Sequence, residues 1–272
     1  MTKHIVCYSG GHSSALVAVE VSRKFGAENT VLLNHDISGW VESPDIKRFK
    51  VQVANRIGLP ITFANIKNLP AEELPDQFDV TIQAQAFKVG SGSELCTSRL
   101  KTEPFMAYLK ERHPDKDCVI YYGFDANEQH RIQRRIGIMG QLGYKTDYPL
   151  ALWKDRTIHE IEELGIDRPM QYGSFKHANC IGCLKAGKQH WYVVYCERPD
   201  VFEKAKYAED CIDYSIIADA YLHELEPVFE DMKRSGIPAT EHIPHQEFWA
   251  GVRKAGIDTS TDEDRKPCEC IF

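Results

Sequence analysis

Short runs of apolar residues alternate along the first half of the chain with longer segments in which apolar positions recur at helical spacing. The short runs predict buried β-strands, since the strands of parallel sheets are short and continuously apolar. The longer segments predict helices. The first helix ends at Gly26, and Ser43 caps a second helix from Asp45 to Ile57. This alternation predicts an α/β fold with a doubly wound, mainly parallel five-stranded sheet of the Rossmann type. Four of these strands are located in the sequence: one begins at Ile5, and three span Thr30–Asp36, Pro60–Ile66 and Cys118–Tyr122.

The rest of the chain predicts an irregular connection and a helical C-terminal extension. Residues 67–95 carry prolines and glycines without periodicity, which predicts a long loop with one short helix. Residues 1–175 are interpreted as the α/β domain, and residues 176–272 as a Cys-x-x-Cys segment, a helical region and a cysteine-containing tail. Further helices are predicted from Asp155 to Leu164, from Trp191 to about Arg198, from Pro199, from about Asp213 to Ser235 and from Gln246 to Ala255.

Composition narrows the possible functions. The 272 residues are 43% hydrophobic and 27% charged, as is ordinary for a globular protein in water. We expect a cytoplasmic protein without a membrane partner, because no apolar run is long enough to span a bilayer and no signal sequence is recognised. A net charge of -7 argues against broad binding to nucleic acid. Nine cysteines in such a chain are better explained as metal, cluster or redox ligands than as disulfides.

A glycine turn joins the first strand to the first helix. Its glycines allow the backbone to approach a ligand closely, and the amides at the start of the helix favour an anion. The segment lacks the Gly-Lys-Ser/Thr ending of a Walker loop and the third glycine of a dinucleotide fingerprint. It therefore predicts a phosphate-binding loop of another type, with an ordinary strand-turn-helix as the alternative. The turn consists of Ser9, Gly10, Gly11, His12, Ser13 and Ser14.

Other polar residues follow the predicted strands, at the sheet edge where open α/β proteins bind ligands. Arg99 and Lys101 suit a phosphate or sulfate, with solvated charges at a helix start as the alternative. Glu128 and Arg131 lie one helical turn apart, so a structural salt bridge competes with a role in binding.

Two cysteines with a glycine between them, Cys180 and Cys183, predict half of a metal site. A Cys-x-x-Cys turn directs two sulfurs at one point, and the tail can supply a further ligand from Cys268 or Cys270. Thiolate ligands suit either a [4Fe-4S] cluster or Zn²⁺. Cys7 and Cys118 lie in apolar strands and are interpreted as packing residues.

The glycine turn resembles the PP-loop, Ser-Gly-Gly-x-Asp-Ser, of the adenine nucleotide α-hydrolase superfamily. His12 fills the variable position and Ser13 replaces the usual Asp. The segment from Cys96 to Pro104 resembles the Cys-Cys-x-x-Arg-Lys-x-x-Pro segment of adenylylsulfate (APS) reductases, with Leu95 in place of the first cysteine. The residues from Gly123 to Arg131 and from Tyr148 to Gly173 are similar to the corresponding segments of the phosphoadenylylsulfate (PAPS) reductase branch. The resemblance covers roughly residues 4 to 195.

This resemblance implies a nucleotide site that binds ATP, or APS or PAPS, with Mg²⁺. It places His35 and Gly123 in that site together with the glycine turn, and it places Cys96 beside Cys180, Cys183 and Cys268 as ligands of a [4Fe-4S] cluster, with zinc as the alternative. Asp36 becomes the nearest candidate for a magnesium ligand. The residues to which catalytic roles are assigned are Asp36, Arg99, Lys101, Glu128, Arg131 and Cys270.

The activity implied is cleavage of ATP at the α-phosphate, with release of pyrophosphate, in sulfur transfer or in the modification of a nucleotide or nucleic acid. Two alternatives stay open: an APS or PAPS reductase that releases sulfite, and a nucleotide- or redox-sensing subunit without turnover. The chain ends Glu269-Cys270-Ile271-Phe272, which keeps the Glu-Cys of the reductases and loses their Gly and His. The expected partners are a sulfur-donor protein or thioredoxin-like reductant, a nucleotide or nucleic-acid acceptor, and a second copy of the chain in a homodimer.

Overall fold

The computed structural model of this protein describes residues 2–90, 94–178, 180–218 and 220–259. Within these residues a single sheet has five parallel strands in the order β3-β2-β1-β4-β5. The strand order confirms the predicted α/β class with a parallel, Rossmann-like sheet. The strands are β1 (Lys3–Cys7), β2 (Thr30–Asn34), β3 (Ile61–Phe63), β4 (Cys118–Tyr121) and β5 (Lys145–Asp147).

Helices cover both faces of the sheet, because neighbouring residues of a strand point to opposite sides. Val6 of β1 packs in one core with the first two helices, whereas Ile5 packs in another with the fourth and fifth. Each face therefore buries its own apolar layer, as a doubly wound sheet requires. The helices of this part are α1 (His12–Phe25), α2 (Pro44–Ile57), α3 (Gln77–Ala84), α4 (Glu103–Arg112) and α5 (Gln129–Gln141).

Local sequence explains where several of these helices begin and end. Ser43 accepts the Asp45 N–H at 3.2 Å and caps α2, which ends at Gly58 in the left-handed conformation. Asp76 caps α3 by accepting the N–H groups of Phe78 and Asp79. A short helical turn, Leu95–Thr97, and a π-helical turn, Ser98–Thr102, lead into α4.

The C-terminal region is helical, as predicted, and its helices share a third core. Trp191, Phe202, Phe229 and Trp249 from the four helices meet there, and Phe78 of α3 packs among them. The predicted division of the chain at residue 175 stays a prediction. The helices are α6 (Lys188–Glu197), α7 (Pro199–Ile212), α8 (Leu222–Arg234) and α9 (His245–Lys254), and no helix of the described residues is long and apolar enough to cross a membrane.

Two predicted helices are wrong in extent, each because a buried glutamate binds backbone N–H groups outside a helix. The segment predicted as a helix from Asp155 contains only one 3₁₀ turn, Ile161–Leu164, because Glu20 of α1 accepts the N–H groups of Thr157 and Ile158. The long helix predicted from Asp213 begins only at Leu222.

In that second case α7 ends at Ile212, and its C-cap residue Asp213 has a positive φ of 54°. Backbone N–H groups of Ile216 and Leu222 then each donate to Glu209 at 2.7 Å, and this holds the connection in a loop. The short helix predicted within residues 67–95 is present as α3, whose two turns bury Phe78.

Candidate functional site

The glycine turn lies at the carboxyl end of β1, the central strand of the sheet. Gly10 has a φ of +85°, a conformation that side-chain-bearing residues rarely adopt, and Gly11 takes the N-cap position of α1. Within the described residues no side chain caps this helix. Ser14 donates to the Gly11 carbonyl at 2.9 Å, and Ser9 donates to the Ser14 hydroxyl at 3.3 Å. The N–H groups at the start of the helix can therefore donate to an external anion.

Gly123, at the exit of β4, packs directly against this turn. A Cβ at Gly123 would lie 3.0 Å from the Ser14 nitrogen and 3.1 Å from the Ser13 carbonyl carbon. Only glycine allows this approach without a shift of the backbone. The structure thus brings Gly123 to the glycine turn, between the ends of β1 and β4, where the strand order of the sheet reverses.

Tyr172 covers the turn from the other side. Its hydroxyl accepts the His12 N–H at 3.1 Å and lies 3.4 Å from the position that a Cβ on Gly11 would occupy. The backbone of Ala178 also hydrogen-bonds to this phenol, and burial raises its pKa. Tyr172 is therefore a neutral phenol whose proton can be donated to an anion on the turn. It belongs to a segment quoted for the family resemblance, but sequence reasoning did not select it as a site residue.

A small cavity lies beside the turn, at the ends of β1 and β2. Its volume is about 30 Å³, and Ser9, His35, Lys101 and Ala178 are among the residues that line it. This space holds about one water molecule, far less than a nucleotide.

His35 contributes a neutral imidazole to that cavity. Its Nδ1 lies 2.6 Å from the Ala64 carbonyl oxygen, and because a carbonyl can only accept, Nδ1 carries the proton. Burial lowers the pKa of His35 to about 4, and the charge of Lys101 acts in the same direction. The Nε2 of this histidine is therefore an acceptor at neutral pH.

Asp36, the predicted magnesium ligand, is held by two lysines. Its Oδ1 accepts from Lys47 at 2.8 Å and from Lys50 at 3.3 Å, and Lys50 also pairs with Glu42 at 2.8 Å. Burial alone would raise the pKa of Asp36, but the two lysines outweigh it and hold the pKa below its usual value. Two ammonium groups thus balance two carboxylates. This arrangement does not fit Mg²⁺, which would have to displace a lysine from Asp36.

The other predicted catalytic residues do not share one pocket. Lys101 lines the small cavity, whereas Arg99 lines a separate cavity and donates to both oxygens of Glu103, at 2.9 and 3.0 Å. At the end of β4, Arg131 forms an ion pair with Glu128 and lies over the Phe124 ring, 4.3 Å from its centre. The salt-bridge interpretation of Glu128 and Arg131 is therefore the one that the structure supports.

His12 points away from the turn. Its Nε2 accepts the Ile161 N–H at 3.3 Å and lies 3.1 Å from Glu160. With Glu162 these residues form the one group of three or more metal-ligand side chains that the described residues bring within 4.8 Å of one another. Both glutamates are already paired with Arg168, so the group is better explained as an anchor for the 3₁₀ turn than as a metal site.

The Cys-x-x-Cys turn is rigidly supported. Gly182 has a φ of +74°, and a Cβ there would lie 2.8 Å from the Val201 side chain. Gln77 donates from one amide nitrogen to the carbonyls of Ile181, at 2.8 Å, and Gly182, at 3.1 Å. The turn is thus fixed by a glycine that cannot be replaced without strain and by a buried side chain that binds its backbone.

A histidine orients the second cysteine of this turn. The Cys183 N–H donates to His190 Nε2 at 3.3 Å, and His190 Nδ1 lies 2.6 Å from Glu241. Cys96 and Cys180 both pack against the C-terminal core. Among the described residues these three sulfurs do not form a group in which every sulfur lies within 4.8 Å of the others. A tetrahedral zinc–thiolate site needs a spacing of roughly 3.8 Å between its sulfurs. An iron–sulfur cluster holds its thiolates further apart. Cys268 and Cys270 lie outside the described residues.

No protein-family model, curated protein or solved structure matches the chain. The assignment of a function therefore rests on the geometry of the site and on the sequence resemblance.

Proposed function

We propose that this protein is a PP-loop enzyme of the PAPS reductase-like group, which binds ATP or a related adenine nucleotide and cleaves it at the α-phosphate. The observation that carries the proposal is the uncapped N-terminus of α1, which follows Gly10 and Gly11 at the carboxyl end of β1. The close packing of Gly123 on the same turn supports it, since a phosphate can approach the backbone closely only where no side chain intervenes.

In this proposal the residues at and around the glycine turn have separate roles. The amides of Ser13 and Ser14 hold the phosphates, and Tyr172 donates its phenol proton to a phosphate oxygen while it accepts the His12 N–H. Lys101 supplies the positive charge at the cavity beside β1 and β2. In adenylation an acceptor oxygen attacks the α-phosphorus, and the bond to the pyrophosphate oxygen breaks. We assign no step to a magnesium ion on Asp36, because Lys47 and Lys50 occupy its carboxylate.

The second part of the proposal concerns the thiolates. In this proposal Cys180 and Cys183, on their fixed turn, would supply two ligands of a metal centre, and Cys96 and a cysteine of the tail would supply the others. An iron–sulfur cluster bound there would supply electron transfer or a sulfur-binding site. Within the described chain, Gln77 and His190 orient these cysteines through their backbone.

Turnover assays test the proposal. Pure protein should release pyrophosphate from ATP when a suitable acceptor or a cell extract is supplied, and Tyr172→Phe should slow that release. Release of sulfite from PAPS or APS in the presence of a thiol reductant, without release of pyrophosphate from ATP, would instead identify a sulfonucleotide reductase. Binding of ATP without either product would identify a sensing subunit.

A further inference from the structure

A second cavity of about 900 Å³ opens at the carboxyl end of β3. Residues 62–68 form one side, α3 contributes a second wall and α4 a third. The size lies in the range of sites that hold small organic ligands. Its place at the carboxyl edge of a parallel sheet is where such folds bind them.

Only a thin partition separates this cavity from the small one beside the glycine turn. Ala64 lines the large cavity, and its carbonyl accepts from His35, which lines the small one. The π-helical turn Ser98–Thr102 completes the partition: Arg99 faces the large cavity and Lys101 the small one. Such π-helical turns are frequent at functional sites. A ligand in the large cavity would therefore be next to a nucleotide on the glycine turn.

The charge of the lining favours an anion. Lys67, Arg99 and Arg112 contribute three positive charges and Glu103 and Glu111 two negative ones, which leaves one net positive charge. The chain as a whole carries -7. A cleft of opposite sign to the rest of the surface concentrates ligands of the complementary charge.

The other lining groups favour a flat ring with hydrogen-bonding edges. Phe63, at the end of β3, is 49% exposed, which leaves an aromatic face open in the cavity. Gln83 and Asn68 present amides that can both donate and accept. Lys67 and Asn68 have positive φ angles of 51° and 55°, and strained non-glycine residues of this kind cluster at binding sites.

We propose that this cavity is a second binding site, which takes a nucleotide unit with its base on Phe63 and its phosphate at Lys67. Binding is independent of the proposed function; only the role of the ligand as the acceptor of that reaction rests on it. The unit is either a free nucleotide or the end of a nucleic-acid strand. The acidic chain disfavours contact with a long strand, so recognition is confined to one unit or a few.

Calorimetric titration with uridine, cytidine and guanosine monophosphates tests the proposal, because adenine nucleotides would also enter the site at the glycine turn. At least one of the three should bind with a stoichiometry of one. Phe63→Ala and Lys67→Glu should each weaken that binding roughly tenfold or more. The matched controls are Tyr214→Ala and Lys110→Glu, exposed residues that do not line the cavity, and they should leave it unchanged.

Absence of binding by all three nucleotides at millimolar concentration would overturn the proposal, as would binding that Phe63→Ala and Lys67→Glu leave intact. Ribose phosphate that binds as tightly as the nucleotides would overturn the role of the base. Competition by a short 5′-phosphorylated oligonucleotide, at equal or higher affinity, would identify a strand end as the source, and weaker competition a free nucleotide.

ATP binding, measured in the same samples, tests the proposed function separately. Gly11→Val should remove ATP binding and leave binding of the monophosphate intact. If the parent protein binds a monophosphate through Phe63 and Lys67 but does not bind ATP, the second site stands and the proposed function fails. If ATP binds and no monophosphate does, the second site fails and the nucleotide site of the proposed function stands.

Discussion

The hydroxyl of Tyr172 accepts a hydrogen bond from the backbone N–H of His12, at 3.1 Å, and so joins two segments 160 residues apart in the chain. His12 is the first residue of α1, and its N–H is one of the groups that would otherwise meet a phosphate. Tyr172 therefore covers the first N–H group of α1, and its own hydroxyl proton can still be donated.

Tyr172→Phe should weaken ATP binding roughly tenfold, because one hydrogen bond to a charged group is lost. The fold should survive, since the ring and its packing stay. Calorimetry measures the affinity, and Tyr214→Phe, on an exposed tyrosine elsewhere, serves as the control. Unchanged affinity in Tyr172→Phe would show that the phenol only closes the free site.

A charged group beside the glycine turn consists of Asp36, Glu42, Lys47 and Lys50. Its two lysines should contribute unequally to the stability of the protein. Lys50 is 3% exposed and pairs with Glu42, whereas Lys47 is 32% exposed. Lys50→Met should lower the free energy of unfolding by up to about 3–5 kcal/mol, because the buried Glu42 loses its nearest partner and keeps only Lys47, at 3.3 Å. Lys47→Met should lower the free energy of unfolding by clearly less. Urea unfolding of both variants measures this, and equal losses would contradict the account.

The hydrocarbon stem of Lys50 also packs beside the glycine turn. Its Cγ lies 2.7 Å from the position of a Cβ on Gly10, so Lys50 shapes the turn as well as balancing charge. A double substitution of Lys50→Met with Glu42→Gln should recover part of the lost stability, since no buried charge then stays unpaired.

Glu209 makes the stability of the protein depend on pH. Burial raises its pKa to about 7 from an ordinary value of 4.5, against the opposing effect of the two backbone N–H groups that it accepts. The folded state therefore binds a proton more tightly than the unfolded state does. The contribution of this group is fully present below about pH 4.5 and is lost as the pH rises through about 7.

Denaturant unfolding at a series of pH values measures this contribution. In Glu209→Gln the decline of stability over that window should become shallower than in the parent, although the variant loses one acceptor and is less stable overall. Asp210→Asn, beside it on the exposed side of α7, is the control. An identical pH dependence in Glu209→Gln and the parent would contradict the assignment.

Gly182→Ala should destabilise the protein by about 1–3 kcal/mol, because φ at this position is +74° and the new Cβ would overlap the Val201 side chain. The more specific readout is the alkylation rate of Cys180 and Cys183 under native conditions, which should rise as the turn loosens. Gly165→Ala, also at a positive φ but with nothing within 4 Å of a Cβ, separates the overlap from the strain. Equal alkylation in Gly182→Ala and Gly165→Ala would argue against a preformed turn.

The sequence alone was sufficient for the features that depend on local pattern. Gly10 and Gly11 mark the turn because the chain there changes from strand to helix, and Ser43 predicts the start of α2 by its capping chemistry. Gly123 follows a strand that becomes the neighbour of β1, so the doubly wound topology brings it to the turn.

Features that depend on distant contacts could not be predicted. Glu20 binds a segment about 137 residues further along and prevents a helix there, and nothing near Asp155 in the sequence indicates this. Asp36 is at a strand end, as a metal ligand would be, but Lys47 and Lys50 belong to the next helix and reach back to it. Two lysines three residues apart on α2 could have suggested that contact, because they share one face of the helix.

Equilibrium binding of ATP to the parent and to Gly11→Val tests the central claim most directly. Gly11 has an ordinary φ of -84°, so valine is compatible with the backbone, but its side chain would fill the space between the turn and Tyr172. Gly140→Val, on the exposed part of α5 with nothing within 4 Å, is the matched control. We predict that the parent and the control bind ATP and that Gly11→Val, folded by circular dichroism, does not. A folded Gly11→Val protein with the affinity of the parent would contradict the account.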